Sequence, residues 1–139
     1  MKKNLIYAGM AADIIHYGHI KLINKAAKRG DLIIGLLSDN AIKSYKRKPI
    51  FSYKYRKYLI QNIKGVKRVV RQNSLSYKNN LKKYKPKFVI HGDDWKSGKQ
   101  MQTRHEVLNC IKEWGGKLIE VKYTKGISTT KIIQRLIKE

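Results

Sequence analysis

At 139 residues the chain has the size of one ordinary domain, and its 42% hydrophobic and 29% charged residues suit a single packed core, which excludes a disordered tail and a fibrous repeat. The 32 Lys and Arg against 9 Asp and Glu give a net charge of +23, yet they are spread from Lys2 to Lys138 as 25 Lys and 7 Arg, a surface composition more than an Arg-rich phosphate grip. One cysteine, Cys110, excludes an internal disulfide framework and a multi-cysteine zinc site.

The elements follow in chain order. A strand is expected at Leu5 to Ala8. After it, Ile20, Ile23 and Ala27 recur at helical spacing with Lys21, Lys25 and Lys28 opposite, and Gly30 closes that helix. The second strand is Leu32 to Leu37. Tyr55, Leu59 and Ile63 mark another helix before a third strand at Val66 to Val70 and a fourth at Phe88 to His91. Leu108 and Ile111 mark a further helix before the fifth strand, Leu118 to Val121. The last segment, Ser128 to Ile137, opens on Ser128-Thr129-Thr130, a capping run ahead of Ile132, Ile133, Leu136 and Ile137. No repeat or linker divides residues 1–139, which predicts a single domain.

This alternation predicts an α/β fold: one doubly wound, five-stranded parallel sheet, Rossmann-like, with helices on both faces. The longest apolar stretches, Leu32 to Leu37 and the broken run Leu5 to Ile15, fall short of the ~20 residues a spanning helix needs. No cleavage-site pattern follows Met1, so the expected location is the cytoplasm, without membrane insertion.

In such a sheet the ligand crevice lies at the strand C-termini. The first loop there runs from Gly9 through Asp13 to His16-Tyr17-Gly18-His19 and straight into a helix. Two imidazoles flank a glycine where free N–H groups and the helix dipole favour an anion, and Gly18 allows close approach of a phosphate. Two other readings stay open: His16 as an ordinary loop histidine, and Asp13, His16 and His19 as three metal ligands. Gly9, Gly18 and Gly30 do not make a G-x-G-x-x-G pattern, and no P-loop occurs.

A second constellation is His91-Gly92-Asp93-Asp94-Trp95, after the fourth strand. Its carboxylates can hold magnesium, bond a ribose hydroxyl or cap the next helix, and Trp95 can pack as core or lie on a nucleobase. The third is Gly126-Ile127-Ser128-Thr129-Thr130, another helix start able to cradle an anion or simply a Ser/Thr cap.

With these motifs in place, the whole chain resembles the cytidylyltransferases of the nucleotidyltransferase superfamily. That family's first motif is His-x-Gly-His, here His16 to His19, and its last is Gly-Ile-Ser-Thr-Thr, here Gly126 to Thr130. The middle Gly-Asp-Asp-Trp, here Gly92 to Trp95, is shared with the glycerol-3-phosphate cytidylyltransferases. One departure is Tyr123-Thr124-Lys125, where those enzymes usually carry Arg-Thr-Glu. Ser44 to Arg47, Asn62 to Val66 and His91 to Gly98 look more like the nucleotidyltransferases that act on phosphonates.

The resemblance implies transfer of CMP from CTP to a phosphonate, such as 2-aminoethylphosphonate or a hydroxyalkylphosphonate, with glycerol 3-phosphate as the alternative acceptor and pyrophosphate as the product. It implies catalytic roles for His16 and His19 on the triphosphate and for Lys46 between acceptor and α-phosphate. Arg56 and Ser128, Thr129 and Thr130 would hold the β- and γ-phosphates. Asp13 would orient the loop, and Asp94 would touch the ribose or the metal-bound phosphates. Ala8, Gly9, Met10, Gly18, His91, Gly92 and Ile127 would complete the nucleotide site. Mg²⁺ would be carried mainly on CTP oxygens and waters, and relatives are commonly homodimers. CTP over ATP rests on the resemblance alone. The rival class is a basic nucleic-acid-binding module, which the +23 charge favours and the lack of an RNA-binding aromatic signature or zinc finger opposes.

Overall fold

The computed structural model describes residues 4–122 and 127–138. Five strands, β1 (Leu5–Met10), β2 (Asp31–Leu37), β3 (Val66–Gln72), β4 (Phe88–Gly92) and β5 (Lys117–Val121), make one all-parallel sheet in the order β3-β2-β1-β4-β5. All five expected strands are present within a residue or two of their expected ends. The strands are joined through α1 (Tyr17–Ala27), α2 (Asp39–Lys43), α3 (Tyr53–Gln61), α4 (Lys78–Tyr84) and α5 (Met101–Ile111), and α6 (Thr129–Lys138) follows the last strand.

The period-two alternation of the strands sorts the core into two layers. Ile6, Ala8, Leu32 and Ile34 point to the face covered by Ile23 and Ala26 of α1 and Ile60 of α3. Tyr7, Ile33 and Val89 point to the other, against Leu81 of α4 and Val107, Cys110 and Ile111 of α5. β2 lies between two neighbours with both faces covered, which is why Leu32 to Leu37 is apolar on both faces and shows no polar alternation. The run is interrupted by Gly35 for a reason: a Cβ there would lie 1.8 Å from the Tyr7 hydroxyl. That phenol crosses β2 to donate to Gln72 Oε1 at 2.6 Å, and it accepts from Asn80 Nδ2 at 3.0 Å.

The helix carrying Tyr55 and Leu59 exists, but its buried face is the neighbouring one. Arg56 and Ile60 are buried, while Tyr55 and Leu59 are 65% and 46% exposed. In α1, likewise, the buried residues are Ile23 and Ala26. Of the apolar positions in α6, Ile132 and Ile133 are half-buried, and Leu136 and Ile137 are exposed. Among the described residues no helix is long and apolar enough to cross a membrane.

Strand order reverses between β1 and β4. Pairing there runs only through Ile6↔Phe88 and Tyr7↔Val89, although β1 continues to Met10 and β4 to Gly92. The two strand tips therefore part, and the gap between them is the crevice expected at a topological switch point.

Candidate active site

The loop leaving β1 is tied down by Asp13, whose buried carboxylate accepts from Arg47 Nη1 at 3.0 Å and from the N–H groups of Ile50 and Phe51 at 2.7 and 3.0 Å. Arg47 also donates to the Asp13 carbonyl. Burial alone would raise the Asp13 pKa, but the Arg47 guanidinium and the two N–H groups hold it below the usual carboxylate value. Asp13 thus fastens the opening loop to the loop that carries Lys46. It lies outside the cleft lining and is no nucleotide contact, and the metal set Asp13, His16 and His19 does not assemble, because this carboxylate is committed elsewhere.

His16 caps α1. Its Nδ1 accepts the Gly18 N–H at 3.0 Å, and His19 Nδ1 accepts the His16 N–H at 3.1 Å, a capping box built from two imidazoles. The ring centroids stand 4.1 Å apart. An Nδ1 that accepts a hydrogen bond carries no proton, so both neutral rings hold theirs on Nε2. Burial lowers both pKa values, that of His19 to about 3, with His16 and Lys46 adding to the shift. The pair therefore presents neutral N–H donors to its surroundings at physiological pH.

Both rings line the cleft between the strand tips. One lobe, of about 170 Å³, is walled by Gly9, Met10, His16, Gly18, His19, His91, Gly92 and Asp94, with Val121, Lys122 and Ile127 at the β5 side. Lys21, Leu22 and Lys25 close it along α1, outside the histidine motif but at helical spacing from Gly18. The second lobe, of about 280 Å³, reaches past the histidines to Tyr45, Lys46, Leu75, Tyr77, Gln100 and Thr103, with Ser128, Thr129 and Thr130 at its edge. Gly9 is a glycine because a Cβ there would lie 2.5 Å from the Tyr77 ring.

On the β4 side, His91 stacks on Trp95 with centroids 3.7 Å apart and rings 5° from parallel. Its Nδ1 donates to the Gly92 carbonyl at 2.8 Å, which leaves Nε2 as an acceptor, and burial lowers its pKa. Trp95 is core: it is 1% exposed, and its Nε1 donates at 2.8 Å to Glu120, which Arg104 grips at 2.9 and 3.0 Å. Sequence reading found neither Glu120 nor Arg104, because their partnership spans strands and helices far apart in the chain. Asp94 is half-exposed in the cleft, with Oδ1 4.0 Å from His91 Nδ1.

At α6, Ser128 Oγ accepts the Lys131 N–H at 3.1 Å, so Ser128 is a cap as well as a cleft residue. Thr129 Oγ1 donates to the Ile14 carbonyl at 3.1 Å, which docks the helix start on the opening loop. Gly126 and the departure at 123–125 lie outside the described residues.

Two expected contacts are corrected. Arg56 is fully buried, and its guanidinium is committed: Nε to the Phe51 carbonyl, Nη1 to the carbonyls of Ala11 and Leu37, and Nη2 to Asp39 at 2.7 Å. It is a structural pin holding the ends of β1 and β2, with no face toward a triphosphate. The Ala8 side chain is buried in the core, one residue short of the cleft wall.

The walls carry Lys21, Lys25, Lys46 and Lys122 against the single carboxylate of Asp94 among the described residues, a field that concentrates an anion. Neutral imidazole donors at a helix start, hydroxyls at a second start and these ammonium groups converge on one notch, the equipment for binding a polyphosphate and stabilising charge on a transferring phosphoryl group.

Comparison with known proteins agrees with this geometry. The cytidylyltransferase-like family model matches residues 7–135. A glycerol-3-phosphate cytidylyltransferase of Bacillus spizizenii is 34% identical over 134 residues, 95% of each chain. The ethanolamine-phosphate cytidylyltransferase of Mus musculus is 31% identical over 90% of this chain, which spans 30% of that protein. Among solved structures, a lipopolysaccharide core biosynthesis protein of Thermoplasma volcanium superposes with a TM-score of 0.71 at 24% identity, covering 89% of this chain and 98% of that one. A sheet that parts beside paired histidines, matched across nearly its whole length to these proteins, places the chain among enzymes: it belongs to the cytidylyltransferase-like family.

Proposed function

We propose that the chain transfers the cytidylyl group of CTP to a small phosphate-bearing acceptor, with glycerol 3-phosphate first among the candidates. The observation that carries this reading is the histidine pair, with both Nε2 protons free of partners among the described residues, at the start of α1 and inside the cationic notch. The acceptor follows from the relative that is 34% identical over 95% of both chains and acts, by its name, on glycerol 3-phosphate. This ranks glycerol 3-phosphate above the phosphonate acceptor expected from the sequence segments.

In the reaction an acceptor phosphate oxygen attacks the α-phosphorus of CTP, the bond to the bridging α,β-oxygen breaks, and pyrophosphate leaves with that oxygen. The acceptor is already anionic, so no base is needed. His16 and His19 donate Nε2–H to phosphoryl oxygens as charge shifts toward the leaving group. Lys46, whose pKa burial and Arg47 lower, would draw two anions together from the second lobe. The first turn of α6 with Ser128, Thr129 and Thr130 would receive the departing phosphates.

No group of three or more metal-ligating side chains occurs among the described residues, and Asp94 is the carboxylate at the cleft. This donor set fits a Mg²⁺ ion that arrives on the triphosphate and keeps its waters, where it would offset charge on the phosphates. The homodimer implied by the resemblance is part of the same proposal, and sedimentation at assay concentration tests it. A pyrophosphate-release assay with CTP or ATP against glycerol 3-phosphate and phosphonates tests the reaction. Release that depends on both CTP and glycerol 3-phosphate is expected, and ATP-driven release with CTP inert would overturn it.

A further inference from the structure

The second lobe is charged in a way that bears on the acceptor's far end. Beyond Lys46 it opens into a recess lined by Tyr45, Asp94, Ser97, Lys99 and Gln100. Two ammonium groups, Lys46 and Lys99, face one half-exposed carboxylate there among the described residues, that of Asp94. An amine tail needs a surplus of carboxylates or an open aromatic face. The Tyr45 ring is half-buried against the cluster that holds Ala41 and Ile42, and Lys46 Nζ already stands 5.3 Å from its centroid. The Tyr77 ring is buried against Tyr7 and Trp95, with its hydroxyl bonded to the Gly9 carbonyl. What the lobe does offer is uncharged hydrogen-bonding capacity. The side chains of Gln100 and Thr103 line it and make no hydrogen bond within the described residues.

We propose that this recess takes the tail of the acceptor, that Lys99 and Gln100 read it with Thr103 on the adjoining wall of the lobe, and that the tail they accept carries hydroxyl groups and no amine. The inference rests on the proposed cytidylyl transfer and narrows its substrate class to hydroxylated phosphates or phosphonates. Ethanolamine phosphate and 2-aminoethylphosphonate would be disfavoured, because bringing their ammonium beside Lys46 and Lys99 sets like charges together.

Two isosteric pairs test it on the whole chain with CTP and Mg²⁺: ethanolamine phosphate against 2-hydroxyethyl phosphate, and 2-aminoethylphosphonate against 2-hydroxyethylphosphonate. Glycerol 3-phosphate serves as reference. The hydroxyl member is expected to have the higher kcat/KM by ~10-fold or more, and the ratio is expected to shrink with added salt. Lys99→Glu and Gln100→Glu, made separately so that one misfolded variant does not decide the matter, are expected to move the ratio toward the amine. An amine that serves as well as its hydroxyl twin overturns the proposal and leaves cytidylyl transfer standing. A ratio indifferent to salt and to both variants overturns the assignment of these residues. Absence of pyrophosphate release with every acceptor, glycerol 3-phosphate included, overturns the reaction and this inference with it.

Discussion

His16 and His19 hold each other in register: the His16 N–H donates to His19 Nδ1 at 3.1 Å, while His16 Nδ1 takes the Gly18 N–H. Each ring uses one nitrogen to close the helix start and frees the other for a ligand. His19→Ala is expected to lower kcat ~10²–10³-fold. Loss of the cap should cost stability by only about 1 kcal/mol. Steady-state kinetics with a urea titration separate the two effects, and undiminished turnover in a folded variant would remove His19 from the mechanism.

The same burial sets a pH dependence of stability. His19 is held at about 3 against an ordinary value of 6.5, so the unfolded chain takes up the proton first as pH falls. The contribution is full above ~6.5 and is lost as pH drops from there toward about 3, with a limiting slope of about 1.4 kcal/mol per pH unit. His16 and His91, also lowered by burial, act in the same direction. Asp13, whose pKa is lowered, contributes above its unfolded value and loses that contribution only in more acid solution. Calorimetry should show Tm nearly level from pH 8 to 7 and falling from 6.5 to 5, with a shallower fall in His19→Gln. A level Tm across the whole range would contradict the buried neutral rings.

Asp13→Asn should loosen the loop that carries Lys46. The substitution weakens the charge-assisted bond to Arg47 and leaves one N–H of the 50–51 pair less well matched. A loss of about 1–3 kcal/mol is expected, with kcat falling more than the affinity for CTP. A fall in CTP affinity alone would mean that the loop position matters for binding and not for the reaction.

Arg56→Ala should act through folding. It strips partners from three backbone carbonyls and from the partly exposed Asp39, a loss of several kcal/mol at about 1–3 kcal/mol for each buried acceptor left unsatisfied. The expected result is a low denaturant midpoint or poor recovery of folded protein. A stable variant with weakened CTP binding would restore the phosphate role that its burial denies.

The parallel frame was legible because buried parallel strands must be apolar along their length, and Leu32 to Leu37 shows this plainly. The histidine motif was legible because its cap geometry is local, completed within four residues. The face of α3 was misread because apolar spacing pointed to Tyr55 and Leu59, while the helix is oriented by the polar contacts of Arg56 with carbonyls up to 45 residues away. Trp95 stayed undecided for the same kind of reason: it follows β4 while its partner Glu120 lies on β5, and no periodicity links the two.

The early end of pairing between β1 and β4, after Tyr7↔Val89, gives the notch a property that a pocket made of loops would lack. The parted tips belong to the sheet itself, held at fixed spacing by β2 on one flank and β5 on the other. A ligand entering between the tips would meet walls already braced from both sides and would displace no strand, so the scaffold would be set for its guest before the guest arrives.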